Sequence, residues 1–164
     1  MAFIFHKGLR EIILGSKHLQ DVSAVTTAPT VQLMLVNSTG YTINRDDQAI
    51  DAGGGTGIVL AEINVTNYAP GYAGAGRKTL NLGNLVFTSD SANDKFILDY
   101  NLDLTWTALG SGATIAGGVV MVKGATNDTD SIPIAYIDLT TPVATNGGNF
   151  TFQFHANGIF TLPV

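Results

Sequence analysis

The residues with the most chemical promise lie in one stretch, GYAGAGRKTL, from Gly71 to Leu80. It holds G-x-x-x-x-G followed by Arg77, Lys78 and Thr79, close to a phosphate-binding loop. In such a loop, backbone N–H groups and the first turn of a helix surround the phosphates. A Lys directly after the second glycine then reaches the β- and γ-phosphates, and the next Ser or Thr holds magnesium. Here Arg77 intervenes before Lys78 and shifts that register. The continuation TLNLGNLVF alternates as a strand does, with a bulge expected at Gly83. The expectation is therefore a Gly-rich turn between strands, with no nucleotide and no other cofactor.

The other titratable residues form no catalytic pattern. Asp99 and Asp103 share one face of an extended segment, but four residues of strand separate them by about 13 Å. Paired glycosidase carboxylates stand roughly 5 to 9.5 Å apart. His6, His18 and His155 lack a close-spaced partner of the H-E-x-x-H kind. No G-x-S-x-G elbow occurs. Asp46, Asp47 and Asp51, and separately Asn127, Asp128 and Asp130, offer oxygens. Neither group has the alternate ligands, central Gly and terminal Glu of a calcium-binding EF-hand loop, so both read as solvated turns. Neither an enzyme nor a metal site is expected.

Composition narrows the class. The chain has 164 residues, room for one well-packed domain. Hydrophobic residues make up 45% and charged ones only 13%, so Gly, Thr and Asn must supply much of the surface, a composition of strands and turns. There is no cysteine, which removes disulfides and thiolate metal sites. The net charge of −5 argues against nucleic acid, whose binders gain affinity from Lys and Arg on phosphates. Apolar runs fall well short of the roughly 18 residues of a membrane span. The N-terminal MAFIFHKGLREIILGS has charges within its apolar stretch and is not read as a secretion signal.

The elements follow from periodicity. Phe5, Leu9, Ile12 and Ile13 recur on one helical face and Gly15 is a natural stop, which predicts a short N-terminal helix within an arm over residues 1–15. Beyond it the period is close to two. TVQLMLV reads as a buried strand. Phe96, Leu98, Tyr100, Leu102, Leu104 and Trp106 all fall on even positions, giving one long strand or two joined by a bend. GGVVMVK, IPIAYIDL, NFTFQF and IFTLPV are further strands with turn-rich connections. Residues 37–57 are polar and Gly-rich and read as a long loop. The fold expected is mainly β: a single antiparallel β-sandwich or barrel-like domain over residues 1–164 with a short N-terminal α-helix.

Several segments, taken in order, resemble a family of small virion proteins encoded in the head-gene region of tailed bacteriophages and prophages. They are a short helix ending at Gly15, the strand ending at Val36, Tyr41-Thr42, and AEINVTNYAPGYAGAGRKTL. TSDSANDKFILDYNLDLTWTAL, AYIDL and NGGNFTFQFHANGIFTL follow. The S-A-N-D-K and D-L-T-W-T elements are the most specific. The departures lie in residues 37–57 and in the turn of residues 64–77. The resemblance implies a capsid decoration (cement) protein, made in the bacterial host cytoplasm and located on the outer capsid surface of the virion. Its implied partners are the major capsid protein and further copies of itself, as a homotrimer, with neither nucleic acid nor membrane. Many modest contacts repeated by symmetry suit that role. Phe3 and Phe5 in the N-terminal arm, Tyr68 and Tyr72 in the Gly-rich turn, and the cations Arg77 and Lys78 are the expected partner contacts. Two other readings stay open: a tail or head-fibre component, and a carbohydrate-binding β-sandwich using Tyr68, Tyr72 and an outward Trp106.

Overall fold

The structure, a computed structural model, describes residues 3–7, 29–90, 92–93, 95–155 and 158–163. The chain is mainly β, and every pairing among the described strands is antiparallel. Ten strands are described: β1 (Phe3–Ile4), β2 (Val31–Val36), β3 (Lys78–Leu80), β4 (Leu85–Asp90), β5 (Lys95–Tyr100), β6 (Leu104–Trp106), β7 (Thr114–Val122), β8 (Ile132–Ala144), β9 (Phe150–Phe152) and β10 (Phe160–Pro163). They form a five-stranded sheet ordered β1-β8-β7-β2-β3, a three-stranded sheet β10-β5-β4 and a two-stranded sheet β6-β9. Most of the predicted helix falls outside the described residues. Residues 3–7 of the arm are described, and they begin with β1, which pairs Phe3 with Tyr136 and Ile4 with Ala135 on β8.

The five-stranded sheet is covered on both faces, which explains the unbroken apolar runs of its central strands. On β2, Val31, Leu33 and Leu35 enter one cluster, while Met34 and Val36 enter another. On β7, Val120 and Val122 face the first cluster, and Val119 and Met121 the second. A strand buried on both sides must be apolar at odd and even positions alike, so it loses the alternation of a half-wet strand.

The larger cluster draws on all three sheets, with Leu98 and Tyr100 from β5, Leu85 from β4, Trp106 from β6 and Phe152 from β9. Aromatic rings run through it in series. Tyr100 meets Phe154 at 5.2 Å, Phe154 meets Phe152 at 5.5 Å, Phe152 meets Phe150 at 6.5 Å and Phe150 meets Trp106 at 6.0 Å. These are tilted or edge-on contacts, the arrangement ring quadrupoles favour. Close packing sets residue size here: a Cβ on Gly118 of β7 would stand 2.8 Å from Leu33 Cδ1 and 3.0 Å from Phe152 Cε2.

The second cluster lies under the long loop. Ile50, Ile58 and Ala61 are fully buried beside Phe5, with Tyr41 and Ile43 packed against them. Residues 37–56 contain no strand but are tied down. Ile50 N–H bonds Ser131 O, and Asp51 N–H bonds Asp128 O. The loop is thus the lid of a second apolar layer, closed by a 3-10 turn at Gly57–Ala61.

The alternating run from Phe96 to Trp106 takes the second of its two expected arrangements, two strands joined by a bend at residues 101–103, and the two lie in different sheets. One element differs from expectation. The segment TLNLGNLVF is β3, a 3-10 turn at Leu82–Asn84 and then β4, where Asn81 Oδ1 accepts Gly83 N–H at 2.9 Å. The turn occupies the place of the expected bulge.

Candidate functional site

The strongest concentration of polar chemistry is centred on Arg77, which enters the interior just ahead of β3. Its Nε and Nη2 donate to Glu62 Oε1 and Oε2 at 2.9 and 2.7 Å. Its Nη1 and Nη2 donate to Asp128 Oδ1 and Oδ2 at 2.7 and 2.8 Å. One guanidinium therefore forks onto two carboxylates, the geometry its planar donor set matches best. The Arg77 and Glu62 side chains are each 1% exposed and Asp128 is 8% exposed.

One cation between two carboxylates leaves a formal negative charge in the interior, and further donors offset it. Tyr68 Oη donates to Glu62 Oε1 at 3.0 Å and accepts Leu35 N–H at 3.0 Å. Gly71 N–H donates to Glu62 Oε2 at 2.9 Å, and the Ser131 hydroxyl lies 3.2 Å from Asp128 Oδ1. Burial alone would lower the Arg77 pKa. The hydrogen bonds to Glu62 and Asp128 outweigh it, so the guanidinium is held charged above its usual range. Burial, then the Glu62 charge, pushes the Tyr68 phenol well above its ordinary value.

Around this centre the Gly-rich turn closes on itself. Gly74 N–H bonds Gly71 O, Gly76 N–H bonds Ala69 O, and Gly76 O accepts Trp106 Nε1–H at 2.6 Å. The Gly71, Gly74 and Gly76 N–H groups are taken by Glu62, Gly71 O and Ala69 O, and Lys78 and Thr79 belong to β3 rather than to a helix. The former nucleotide candidate is a structural turn around a buried ion cluster. With four guanidinium hydrogen bonds committed to Glu62 and Asp128, Arg77 holds segments of the chain together.

The expected contact residues separate into two groups. Phe5, Tyr68 and Arg77 are buried within their own chain, which corrects the surface placement expected of them. A lone basic residue after glycines carries no mark of burial in the sequence, so Arg77 reads there as a surface cation. Phe3, Tyr72 and Lys78 are partly buried. Phe3 stacks at 5.2 Å on both Phe5 and Tyr136, with Arg45 5.7 Å from its ring. Tyr72 Oη donates to Gly124 O at 2.8 Å, and Lys123 Nζ stands 4.2 Å from its ring centroid. Lys78 Nζ lies 5.8 Å from the Trp106 ring. Trp106 itself is 2% exposed, so the outward aromatic platform of a carbohydrate site is not formed by Tyr68 and Trp106.

The acidic loops are self-contained. Asp51 accepts N–H groups of Gly53, Gly55 and Thr56, and Asp130 accepts those of Ala125, Thr126 and Asn127. For Asp51 burial works against ionisation, but these backbone donors outweigh it and lower the pKa. For Asp130 the Asn127 N–H leads the lowering. Asp47 accepts Tyr41 Oη–H and Asn44 N–H, and Asp46 pairs with exposed His6 at 3.0 Å. Among the described residues no group of three or more His, Cys, Asp or Glu is placed to hold a metal ion, and no helix is long and apolar enough to cross a membrane.

Sequence reasoning passed over Glu62 and the role of Asp128. The available signal was Glu62 inside the apolar stretch IVLAEINV, where a lone carboxylate has to find a buried partner. Comparisons with protein families, with curated proteins and with solved structures found no match.

Proposed function

We propose that the chain is a structural virion protein, a capsid decoration protein that binds the outer surface of a phage head and secures neighbouring capsomers as a homotrimer. The observation that carries the reading is the ordered set of family-like segments, above all S-A-N-D-K and D-L-T-W-T within residues 88–109. That range runs from the end of β4 through β5 and β6, and it supplies Leu98, Tyr100, Trp106 and Leu109 to the larger cluster. In the finer fold we propose, the sheets enclose that cluster as a β-sandwich. Its support is that side chains from all three sheets meet there.

The physical character of the chain supports the role. Cement needs a stiff body with broad faces, and here the long loop, the Gly-rich turn and the turn at Asp128 are fastened to one buried ion cluster. A rigid body loses little further entropy on binding. Among the expected contacts, Phe3, Tyr72 and Lys78 remain those with exposed surface.

Purified phage particles provide the test. Heads lacking the chain, mixed with the recombinant protein and pelleted, bring it down in stoichiometric proportion to the capsid protein. Its appearance only with isolated tails or fibres would favour the other virion reading, and its absence from every particle fraction would end both.

A further inference from the structure

We propose that Asn146 is a self-modification site: the Asn146-Gly147 pair converts to aspartate and isoaspartate, and the fold sets the rate by holding the reacting N–H in a hydrogen bond. The inference is independent of the decoration role.

The chemistry needs only this chain and water. The backbone nitrogen of Gly147 gives up its proton to solvent and attacks Asn146 Cγ. A C–N bond forms, the Cγ–Nδ2 bond breaks, and the amide group takes a proton from solvent and leaves as ammonia. The resulting cyclic imide then takes up water. Opening at one carbonyl gives aspartate. Opening at the other gives isoaspartate, in which the main chain runs through the former side-chain carbon. Nothing is oxidised or reduced. Glycine after asparagine favours the step, because it has no Cβ to hinder approach to its nitrogen.

The sequence has two Asn-Gly pairs, Asn146-Gly147 and Asn157-Gly158, and Asn157 lies outside the described residues. Around Asn146 crowding is no obstacle. Residues 146–149 are all exposed, and a Cβ built on Gly147 would meet nothing within 4 Å. The Asn146 carboxamide is already turned back over the following peptide. Its Oδ1 accepts Gly148 N–H at 2.9 Å, an Asx turn that also polarises the carbonyl to be attacked.

What opposes the step is one bond. Gly147 N–H donates to Leu109 O at 2.9 Å, so the proton that must leave is held. Neighbouring bonds keep the two loops together. Leu109 N–H donates to Gly148 O at 2.8 Å, and Ala108 N–H to Asn149 Oδ1 at 3.0 Å. Thr145 N–H and its hydroxyl both donate to Ala113 O, while its Oγ1 accepts Ala113 N–H at 3.0 Å. Opening of this end therefore gates the reaction, and local openings of a surface loop cost less than unfolding the whole chain. The product is readable. Residues 139–164 contain no Asp, Glu, Lys or Arg, so each event places the first acidic side chain in this segment.

The test incubates the full chain in mildly alkaline buffer, natively and in guanidinium chloride that unfolds it. Chymotryptic peptide mapping by mass spectrometry follows the amide-to-acid mass gain, and the phenylalanines at 150, 152 and 154 separate Asn146 from Asn157. Asn146 should convert in both states, about tenfold or more slowly in the native protein. Thr145→Val, which removes the hydroxyl bonds to Ala113, should speed the native reaction several-fold and leave the rate in guanidinium unchanged. Phe5→Ala, in the second cluster, should leave the native rate as in the parent while circular dichroism shows it folded. Hydrogen exchange gives a readout that needs no variant: protection of the Gly147 amide should match the native slowing at Asn146. Equal rates in the folded and unfolded chain, no product at Asn146 in either, or a Gly147 amide that exchanges as in the unfolded chain would each overturn the proposal. So would Phe5→Ala speeding the reaction as much as Thr145→Val, because global unfolding would then be the gate.

Discussion

Arg77 and Glu62 meet through two parallel hydrogen bonds, 2.9 and 2.7 Å long, with both side chains 1% exposed. Asp128 closes the other side of the same guanidinium at 2.7 and 2.8 Å. Glu62 follows the 3-10 turn, Arg77 ends the Gly-rich turn, and Asp128 belongs to the connection between β7 and β8. Three connections far apart in sequence thus share one electrostatic centre. A buried ion pair gains little net stability over apolar packing, because desolvation opposes the Coulomb attraction, but breaking it leaves a charge stranded.

Removing the cation should therefore be costly. Arg77→Ala is expected to lower the unfolding free energy by about 3–5 kcal/mol, read by urea denaturation, because two carboxylates lose their partner. Arg77→Lys should recover only part of this, since an ammonium cannot reproduce two bidentate forks. Arg77→Met combined with Glu62→Gln should cost less than the sum of the single changes, as expected of residues in direct contact.

Gly76 is a second sensitive point. A Cβ there would stand 2.5 Å from Tyr68 Cδ1 and 2.8 Å from Ala69 O. Gly76→Ala should destabilise by about 1–3 kcal/mol, the usual cost of overpacking. Trp106 is the only tryptophan and donates to Gly76 O, so its fluorescence maximum should shift to the red in this variant.

The pH dependence has two edges. The pKa values of Asp51 and Asp130 are lowered in the fold, so their ionised forms contribute stability that is present above the unfolded carboxylate value and lost as pH falls through the folded ones. Tm should fall on acidification below about pH 4, and less steeply in Asp51→Asn/Asp130→Asn. The Tyr68 pKa is raised, so its contribution is complete below about pH 10 and declines as pH rises beyond that. Ultraviolet titration should show one tyrosine ionising only with unfolding, and Tyr68→Phe should abolish that step.

Phe5 tests where the arm packs. It is fully buried with Met34, Ile50, Ile58 and Met121, and its N–H bonds Ile134 O at 3.0 Å. Phe5→Ala in the isolated protein should cost about 3–5 kcal/mol in thermal or urea unfolding. Unchanged stability would mean that the arm's burial belongs to another molecule.

Where burial was one-sided or complete, the sequence pattern located the strands. β2, β7 and β9 lie where their apolar periods put them. Parity alone left one strand or two open between β5 and β6, because Leu102 keeps the even apolar register although it is 51% exposed in the bend. Residues 37–57 read as a long loop from their polar, Gly-rich composition, and 37–56 hold no strand; that Tyr41, Ile43 and Ile50 cap the second cluster follows from no period in the sequence. The ion cluster was hidden for a different reason. Glu62, Arg77 and Asp128 are separated by 15 and 51 positions, and only the fold brings them together.

Cryo-electron microscopy of phage particles that carry this chain tests the decoration role most directly. The account predicts density matching its antiparallel sheets on the outer face of the head, repeated with the capsid lattice. A well-resolved head with a bare outer lattice, from particles whose protein content includes this chain, would contradict it.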